Sequence, residues 1–522
     1  MKNNSKNYFI TTAIDYVNAL PHLGTAYEKI GADVMARFKR LQGREVFFLM
    51  GVDEHSLNVE KEARKRNLSP QDYCDELAQK FEEVWKILNI SYNRFIRTSS
   101  PSHVRSVQHV FQAIFQKGDI YLGNYEGWYC NSCEAFLKDK DLVEGLCPTH
   151  RLKPEWISEK NYFFALSRYE EGLKRLLQNS ASFILPKIRH HEILNVIEGG
   201  LEDISVSRSG VSWGIPLPFD HNQAVYVWFD ALLNYISAMG YPEDLDRFKE
   251  WWPAQVHVIG KDITRFHCVI WPAMLMSLGL EIPQTVFGHG FVYLKGEKMS
   301  KTTGTLIGPV EAAQKFGTDA LRYFLMREIP FDRDGDFSWE AFETRYAADL
   351  ANDLGNLIQR TLSMIQRYFQ GKIPKSGSLE EIDKSVIEFS RETYREYNEA
   401  MESFRFSDAL VKVWTYIQKC NGYIGQTAPW ALAKDPNQLG RLGTVLFIVA
   451  ESIAQISLLI EPFMPDTALK IRKQLGVENF GFKNLLSLEQ WGQLKAGIEL
   501  GRVEPLFPRE EKKIISNLKF EI

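Results

Sequence analysis

Short apolar runs alternate with amphipathic segments over the first part of the chain, and this alternation constrains the fold most strongly. Residues 8–14 are rich in β-formers, and residues 46–50 (Val-Phe-Phe-Leu-Met) suit a strand buried on both faces. The polar segment 51–55 (Gly-Val-Asp-Glu-His) follows directly. The alternation resumes at residues 224–230 and again at 256–262. Strand followed by helix, repeated, predicts an α/β domain with a parallel sheet.

This pattern stops near Gly118, and residues 118–215 have the composition of an insertion, with a cysteine cluster and several Pro and Gly residues. From about Phe342 onward the periodicity predicts helices only. These helices are expected at residues 341–369, closed by Gly371, at 406–424 with Ser407 as N-cap, and at 442–460. Residues 375–378 are predicted to form a loop.

Composition narrows the functional class only slightly. The chain has 522 residues, is 45% hydrophobic and 25% charged, and is long enough for several domains. A net charge of −4 does not indicate a nucleic-acid-binding protein, although a local basic surface would suffice. The N-terminus lacks a signal peptide pattern. The apolar stretch 446–460 contains Glu451 and Gln455, which favours a buried helix over a membrane span.

Three of the six cysteines lie close to a histidine, which is cytosolic usage rather than a disulfide scaffold. Cys130-x-x-Cys133 is followed, after thirteen residues, by Cys147-x-x-His150. Two close ligand pairs at this spacing are typical of a tetrahedral zinc site. Four protein ligands leave no open position, so the sequence predicts one structural Zn²⁺.

Two short motifs have the residue types needed to bind phosphate. Pro21-His22-Leu23-Gly24-Thr25 follows the first predicted strand and opens a helix, whose N-terminus offers free N–H groups and partial positive charge. Lys298-Met299-Ser300-Lys301-Thr302 lies between two glycines. Taken alone, the first would more often be an ordinary turn and the second a solvated loop.

Together, the two motifs resemble the HIGH and KMSKS signatures of class I aminoacyl-tRNA synthetases. The resemblance implies that His22 and Lys301 stabilise transition-state charge while a carboxylate attacks the α-phosphorus of ATP, with Lys298 assisting. It also places Gly24 and Thr25 among the ATP-binding residues. Catalysis of this kind depends on positioning and charge stabilisation. Thr25 stands where the family usually has His, so a smaller contribution to phosphate binding is expected.

Further segments are similar to the methionyl-tRNA synthetase family. They are residues 13–16 (Ala-Ile-Asp-Tyr), 51–55, 228–235 and 260–267. The resemblance implies a methionine pocket made of Ile14, Tyr16, Asp53, Trp228, Ala231, Leu232, Tyr235, Ile263 and His267. Asp53 would hold the substrate ammonium, and aromatic rings suit a polarizable thioether. Gly260 and Asp262 match groups near the ribose of ATP, and Arg208 matches an arginine near the reacting phosphate. Ser56 stands where the family usually has Gly.

The helical region contains Asn356 and Arg360 at i and i+4, on one helix face, and Ala428-Pro429-Trp430 farther on. Asn, Arg and an exposed Trp are suitable for reading unstacked RNA bases. Without the rest of the chain, a helix terminus and a packed core Trp would be the better interpretation. The resemblance identifies Asn356, Arg360 and Trp430 with the anticodon-reading residues of the family.

The resemblance runs from Phe9 to about Arg509 and implies an overall organisation and function. The expected activity is methionine–tRNA ligation in the cytoplasm, with ATP and Mg²⁺, one zinc ion and tRNA(Met), including the initiator, as substrates or ligands. No membrane association is expected. Because the OB-fold dimerisation domain of many bacterial members is missing, a monomer is expected. Residues 1–117 and 216–286 are predicted to form the two halves of a Rossmann-type parallel-sheet catalytic domain, separated by a connective insertion with the zinc knuckle at 118–215. A stem-contact region with the Lys-Met-Ser-Lys-Thr loop is predicted at 287–341. An all-α helical-bundle anticodon-binding domain with a C-terminal tail is predicted at 342–522.

Three alternatives remain. The isoleucyl, valyl and leucyl enzymes usually carry larger insertions, and the cysteinyl enzyme has its zinc at the amino-acid pocket. Another nucleotidyltransferase with HIGH-like chemistry would leave the helical C-terminal region unexplained. An RNA-binding protein that has lost catalysis would not need His22, Asp53, Lys298 and Lys301.

Overall fold

The computed structural model describes residues 6–131, 135–137, 139–148, 151–294, 296–298, 307–478 and 484–508. Cys133, His150 and Lys301 lie outside these described residues. The chain divides into two compact units. The first comprises residues 1–21, 46–86 and 92–289, and the second comprises 22–45, 87–91 and 290–522.

The centre of the first unit is a seven-stranded sheet. Its order is Asp15–Tyr16, Glu45–Asp53, Asn7–Thr12, Val256–Gly260, Val286–His289 and Ile184–Leu185, with Arg94–Arg97 pairing to Glu45–Asp53. The registered pairs are parallel, as in Ile10 with Val256 and His257 with Val286. All five residues of Val256–Gly260 are buried, as expected for a strand covered on both faces. The predicted parallel α/β sheet is therefore confirmed.

Two local expectations differ from the structure. Ile184–Leu185 falls inside the predicted insertion, yet it forms a parallel edge strand of the central sheet against Val286 and Phe287. Residues 224–230 do not form a strand of that sheet: Gln223–Val225 pairs antiparallel with Ser207–Ser209, and Val227–Leu232 is a helix. Both segments are too short for periodicity to separate strand from helix.

The inserted segment contains a four-stranded sheet with the order Ala135–Leu137, Ile120–Cys130, Glu155–Phe164 and Ile204–Ser205. Its registered pairs are antiparallel. The helices of the first unit flank both sheets. They are Leu57–Lys65, Pro70–Ile87, Pro101–Gln116, Glu170–Asn179, Lys187–Glu198, Val227–Leu232, Asn234–Ser237, Leu245–Trp251, the π-helical Phe266–Ile270 and Trp271–Leu278, with short 3₁₀ segments at Asp139–Asp141, Leu166–Tyr169 and Lys261–Ile263.

The second unit is mainly helical, with one three-stranded sheet ordered Glu297–Lys298, Val292–Leu294 and Gly335–Phe337. Its helices are Leu23–Leu41, Pro309–Phe316, Thr318–Glu328, Trp339–Arg345, the π-helical Tyr346–Gly355, Asn356–Tyr368, Glu381–Glu402, Phe406–Thr427, Pro429–Leu432, Leu439–Ile460 and Pro465–Leu475, with 3₁₀ turns at Pro436–Gln438 and Leu485–Glu489. The all-helical C-terminal region is confirmed. Ser407 is not the predicted N-cap: it lies within the helix Phe406–Thr427, and its hydroxyl donates to the Arg327 carbonyl at 2.7 Å.

One helical stretch among the described residues, 436–460, is long and apolar enough by length and composition to cross a membrane. Its apolar window is entirely buried inside the protein. The expectation of a core helix at this position is therefore confirmed. The Glu451 carboxylate within it accepts N–H groups from Gly492, Gln493 and Leu494, so its charge is balanced by hydrogen bonds despite burial.

Candidate active site and anticodon-binding face

The carboxyl ends of two neighbouring strands in the first unit carry the residues at the centre of the predicted amino-acid pocket. Tyr16 and Asp53 are direct partners in the parallel pair formed by Asp15–Tyr16 and Glu45–Asp53. Asp53 is only 2% exposed. Ligands of parallel α/β sheets bind outside the carboxyl ends of the strands. A buried carboxylate at this place is suited to a cationic group of a substrate.

Aromatic rings surround this point. The Trp228 ring makes an edge contact with Tyr16, with centroids 5.8 Å apart, and stacks on Phe266 at 4.1 Å. The structure thus brings the predicted Tyr16 and Trp228 together. Phe266 was not assigned a role from the sequence, although it stands next to His267 in the segment 260–267. Stacked and edge-on rings make a polarizable surface that favours a thioether.

A second set of predicted pocket residues is joined by hydrogen bonds. The Tyr235 hydroxyl lies 2.7 Å from His267 Nε2, and His267 Nδ1 lies 3.0 Å from the Ile263 carbonyl. Because a carbonyl only accepts, Nδ1 carries the imidazole proton and Nε2 accepts from the tyrosine hydroxyl. Tyr235 is 1% exposed and stacks on His257 at 4.1 Å. Burial and, to a smaller extent, the neighbouring His267 lower the pKa of His257 well below its ordinary value.

The remaining predicted pocket residues support this arrangement. Ala231 and Leu232 are buried in the helix that carries Trp228, and Ile14 is half-buried against the same core. Gly260 is the last residue of the strand Val256–Gly260, and Asp262 is exposed in the turn that follows. A polar group at the end of a central parallel strand is well placed to contact a nucleotide.

A buried His–Asp–His cluster was missed from the sequence. The Asp230 carboxylate lies 2.8 Å from His55 Nδ1 and 2.7 Å from His103 Nε2, and His103 Nδ1 lies 2.7 Å from Ser237 Oγ. Burial alone would raise the pKa of Asp230, but hydrogen bonds from His103 and His55 hold it below its ordinary value. The cluster joins the segment after Asp53 to the helix of Trp228. The sequence indicated this cluster only through Asp230 itself, an acidic residue inside the apolar run 225–233.

In the second unit, His22 is the N-cap of the helix Leu23–Leu41. Its Nδ1 accepts from the N–H groups of Gly24 and Thr25 at 3.0 and 3.4 Å. In neutral His22 the ring proton is therefore on Nε2. The Thr25 hydroxyl accepts from the His22 N–H at 2.9 Å and donates to the His22 carbonyl at 2.8 Å. This reciprocal capping explains what Thr25 does in place of the family's histidine.

Gly24 makes room for the His22 ring. A Cβ at this position would lie 2.8 Å from His22 Cε1, closer than real Cβ contacts. The N–H of Leu23, the first residue of the helix, donates to the Ile307 carbonyl at 3.1 Å. Ile307 follows the segment that contains Lys301, and Lys298 ends the strand Glu297–Lys298, paired with Tyr293. Both ends of the predicted lysine loop are thereby fixed within the second unit.

Arg208 is held in the inserted region of the first unit. Its Nε lies 2.8 Å from Glu159 Oε1, and its Cζ lies 4.0 Å above the centre of the Tyr129 ring. Arg208 Nη1 is buried and has no hydrogen-bond partner within the described part of the chain. The guanidinium therefore has a fixed orientation and keeps a donor for another acceptor.

The predicted zinc ligands can be followed only in part. Cys130, at the end of the strand Ile120–Cys130, and Cys147 are each 1% exposed. The Arg151 N–H donates to the Cys147 carbonyl at 2.9 Å, and the Cys147 N–H donates to the Leu152 carbonyl at 2.9 Å. Cys133 and His150 lie outside the described residues, among which no group of three or more metal-ligating side chains occurs.

Ser56, the other departure from the family pattern, has a structural role. It is the N-cap of the helix Leu57–Lys65, and its hydroxyl oxygen accepts from the Val59 N–H at 3.0 Å. This is the preferred function of Ser at such a position.

The three predicted anticodon-reading residues share one face of the second unit. Asn356 is exposed at the start of the helix Asn356–Tyr368, and Arg360 follows one turn later. The Arg360 Cζ lies 5.6 Å from the centre of the Trp430 ring, and Trp430 is 44% exposed. An exposed ring beside a guanidinium and an amide can stack on a base and read its edge.

Comparisons with known proteins identify the family of the chain. The family model for class I tRNA synthetases (M) matches residues 8–155 and 149–362, and the anticodon-binding domain of methionyl tRNA ligase matches 373–517. The chain is 47% identical to the methionine–tRNA ligase of Caldanaerobacter subterraneus, covering 98% of this chain and 80% of that protein. It is 42% identical to the methionine–tRNA ligase of Thermotoga maritima, covering 98% of this chain and 82% of that protein.

Solved structures give the same result. The Mycobacterium tuberculosis methionyl-tRNA synthetase in complex with methionyl-adenylate superposes with a TM-score of 0.93 at 38% identity, covering 96% of this chain and all of that one. The apo form of the same enzyme superposes with a TM-score of 0.86 at 36% identity, covering 98% of this chain and all of that one. The chain therefore belongs to the methionyl-tRNA synthetase family, whose members are class I aminoacyl-tRNA ligases.

Proposed function

We propose that this protein activates methionine with ATP and transfers the methionyl group to the 3′ end of tRNA(Met), including the initiator. The methionine carboxylate attacks the α-phosphorus of ATP and displaces pyrophosphate, and the tRNA hydroxyl then displaces AMP from methionyl-adenylate. The observation that carries the proposal is the buried Asp53 at the carboxyl end of its strand, paired in register with Tyr16, whose ring contacts Trp228.

Methionine selection follows from two kinds of contact. Asp53 pairs with the substrate ammonium, which compensates the cost of burying a carboxylate. The thioether packs against Tyr16, Trp228 and Tyr235, with Ile14, Ala231, Leu232 and Ile263 completing the apolar wall. His267 fixes the Tyr235 hydroxyl through the 2.7 Å hydrogen bond and so sets the depth of the pocket. Each thioether–ring contact is worth about 0.3–1.5 kcal/mol.

Phosphate chemistry is assigned to groups that donate hydrogen bonds or positive charge. His22 offers Nε2–H because its Nδ1 is occupied by backbone N–H groups. Lys298 and Lys301 neutralise the developing charge on the phosphates, and Arg208 contributes the donor at Nη1. Gly24 and Thr25 shape the helix N-terminus, while Gly260 and Asp262 bind the ribose. Mg²⁺ accompanies ATP as part of the substrate.

Anticodon recognition is assigned to Asn356, Arg360 and Trp430. Trp430 stacks on a base, and the Asn and Arg side chains hydrogen-bond to base edges, in keeping with their exposure on one face. Stacking of this kind contributes about 1–3 kcal/mol per base.

Cys130, Cys133, Cys147 and His150 would hold one Zn²⁺, whose chemistry here is structural because four protein ligands close its coordination. The buried thiols of Cys130 and Cys147 fit such a site. Metal analysis of the purified protein tests this assignment, with one zinc per chain expected and less than about half that amount in Cys147→Ser. A cytoplasmic location and a monomeric state remain predictions, and sedimentation analysis tests the latter.

The Asp53 assignment is tested with Asp53→Asn. We expect kcat/KM for methionine in ATP–pyrophosphate exchange to fall about 100-fold, because the lost pairing is a buried charge-assisted one worth about 1.5–3 kcal/mol, while KM for ATP is unchanged. The control, Asp75→Asn, removes a half-exposed carboxylate from the helix Pro70–Ile87 and should leave both constants unchanged. Equal methionine constants for Asp53→Asn and the native protein would refute the proposed pocket.

A further inference from the structure

The helix that presents Asn356 and Arg360 changes its winding immediately before them. It begins as an α-helix at Trp339–Arg345, continues as a π-helix over Tyr346–Gly355, and returns to an α-helix at Asn356. π-Helical turns are rare and occur frequently at functional sites. Each residue added to a turn rotates everything that follows by about 100°. The point at which the π-helix ends therefore decides which way Asn356 and Arg360 face.

This endpoint is marked by a shared carbonyl. The Asn356 N–H donates to the carbonyls of Ala351 and Asp353, the first being the π-helical bond. The Asn421 side chain donates its Nδ2–H to the same Asp353 carbonyl at 3.1 Å. Since a carbonyl oxygen needs a donor, this contact also fixes the orientation of the Asn421 amide. One side chain from another helix thus binds the backbone where the winding changes.

A second contact binds the same π-helical segment about one turn earlier, at Asp349. Trp414 lies on the same helix, Phe406–Thr427, as Asn421. Its Nε1–H donates to the Asp349 carbonyl at 3.2 Å, and its ring packs on Tyr323 with centroids 4.3 Å apart. Trp414 is buried, at 4% exposure. The helix Phe406–Thr427 therefore contacts the π-helical backbone at two carbonyls.

The same helix also leads to Trp430. It ends at Ala428, which adopts a left-handed conformation with φ 43°, and the short helix Pro429–Leu432 follows. A non-glycine residue with positive φ is costly and is retained where the surrounding structure requires it. The Trp430 ring then lies 5.6 Å from the Arg360 guanidinium carbon. The helix Phe406–Thr427 thus contacts the π-helical backbone and leads directly to the short helix that carries Trp430.

We propose that Asn421 is a positioning residue for anticodon recognition: by binding the Asp353 carbonyl it fixes the end of the π-helix and thereby aligns Asn356 and Arg360 with Trp430. The inference rests on the proposed anticodon-reading role of those three residues. Asn421 itself need not touch RNA. Its loss should weaken discrimination between anticodons more than it weakens methionine activation, which does not involve tRNA.

The test is Asn421→Asp, which keeps the side-chain shape but places an acceptor against the Asp353 carbonyl. We expect kcat/KM for aminoacylation of a tRNA(Met) transcript to fall about tenfold, because the substitution removes one partly buried donor and adds a repulsion between two acceptors. The preference over a transcript with one changed anticodon base should fall by a similar factor, with methionine-dependent ATP–pyrophosphate exchange unchanged. Asn421→His, which returns an N–H donor at Nδ1, should recover most of the preference.

Gln418→Ala is the matched control. Gln418 is exposed one turn earlier and donates to the Asp353 carboxylate at 3.1 Å, not to the backbone. It should leave all three measurements unchanged. An equal fall for both transcripts in Asn421→Asp, or no fall for either, would overturn the positioning role. If Asn356→Ala and Arg360→Ala leave kcat/KM for aminoacylation unchanged, the anticodon assignment itself fails. If these two variants lower kcat/KM for aminoacylation while Asn421→Asp does not, only the positioning role of Asn421 fails.

Discussion

Asn in place of Asp230 should destabilise the protein and loosen the methionine pocket. The Asp230 carboxylate is completely buried and accepts hydrogen bonds from His103 at 2.7 Å and His55 at 2.8 Å. An amide has one acceptor oxygen and no charge, so Asp230→Asn can accept only one of these bonds, the other imidazole must change its tautomer to accept from the amide N–H, and neither bond remains charge-assisted. A hydrogen bond to a charged group is worth about 1.5–3 kcal/mol, and a buried histidine left without its partner adds to the cost. We expect the free energy of unfolding to fall by about 2–3 kcal/mol.

The functional part of this prediction concerns the helix Val227–Leu232, which carries both Asp230 and Trp228. KM for methionine in ATP–pyrophosphate exchange should rise about tenfold, with KM for ATP unchanged. Urea denaturation followed by tryptophan fluorescence measures the stability change. The control is Asp246→Asn, at an exposed position of the helix Leu245–Trp251. A stability change below about 0.5 kcal/mol together with an unchanged methionine KM would refute the role assigned to this cluster.

Three further predictions follow from single sites. Tyr235→Phe removes the hydroxyl bonded to the pocket imidazole and should raise KM for methionine about fivefold, as measured by pyrophosphate exchange. Burial alone would raise the pKa of Asp33, but the neighbouring Arg37 and Arg322 lower it to about 2. The ionised carboxylate therefore stabilises the fold above its unfolded pKa, and this stabilisation is lost as the pH falls towards 2. Unfolding measured along an acid titration should show a loss of about 2 kcal/mol between about pH 4 and pH 2, and Asp33→Asn should not show this loss. Trp430→Ala should raise KM for tRNA about tenfold in aminoacylation, without changing pyrophosphate exchange.

The architecture was predictable where the sequence pattern is strong. The parallel sheet follows from short continuous apolar runs that alternate with amphipathic segments, and the C-terminal helices follow from apolar residues at spacings of three to four. Ile184–Leu185 could not be assigned, because a two-residue edge strand has no periodicity and its pairing with Val286 and Phe287 joins distant parts of the chain. Ser407 failed as an N-cap because its hydroxyl bonds to the carbonyl of Arg327, which lies 80 positions away.

The candidate site was predictable through motifs rather than through contacts. The pairing of Tyr16 with Asp53 and the bond between Tyr235 and His267 agree with residues named for the pocket. The His55–Asp230–His103 cluster was missed because it joins residues up to 175 positions apart. The π-helix at Tyr346–Gly355 has an ordinary helical sequence pattern, and the side chains that bind its carbonyls belong to a different helix.

Methionine activation is best tested by ATP–pyrophosphate exchange with each proteinogenic amino acid in turn. The proteins compared are the native protein, Lys301→Ala and, as a control, Lys372→Ala at an exposed position. We expect exchange with methionine alone, reduced about 100-fold or more in Lys301→Ala and unchanged in Lys372→Ala. Exchange with a different amino acid would contradict the pocket built around Asp53 and Trp228. No exchange with any amino acid would contradict catalysis itself and leave an RNA-binding protein.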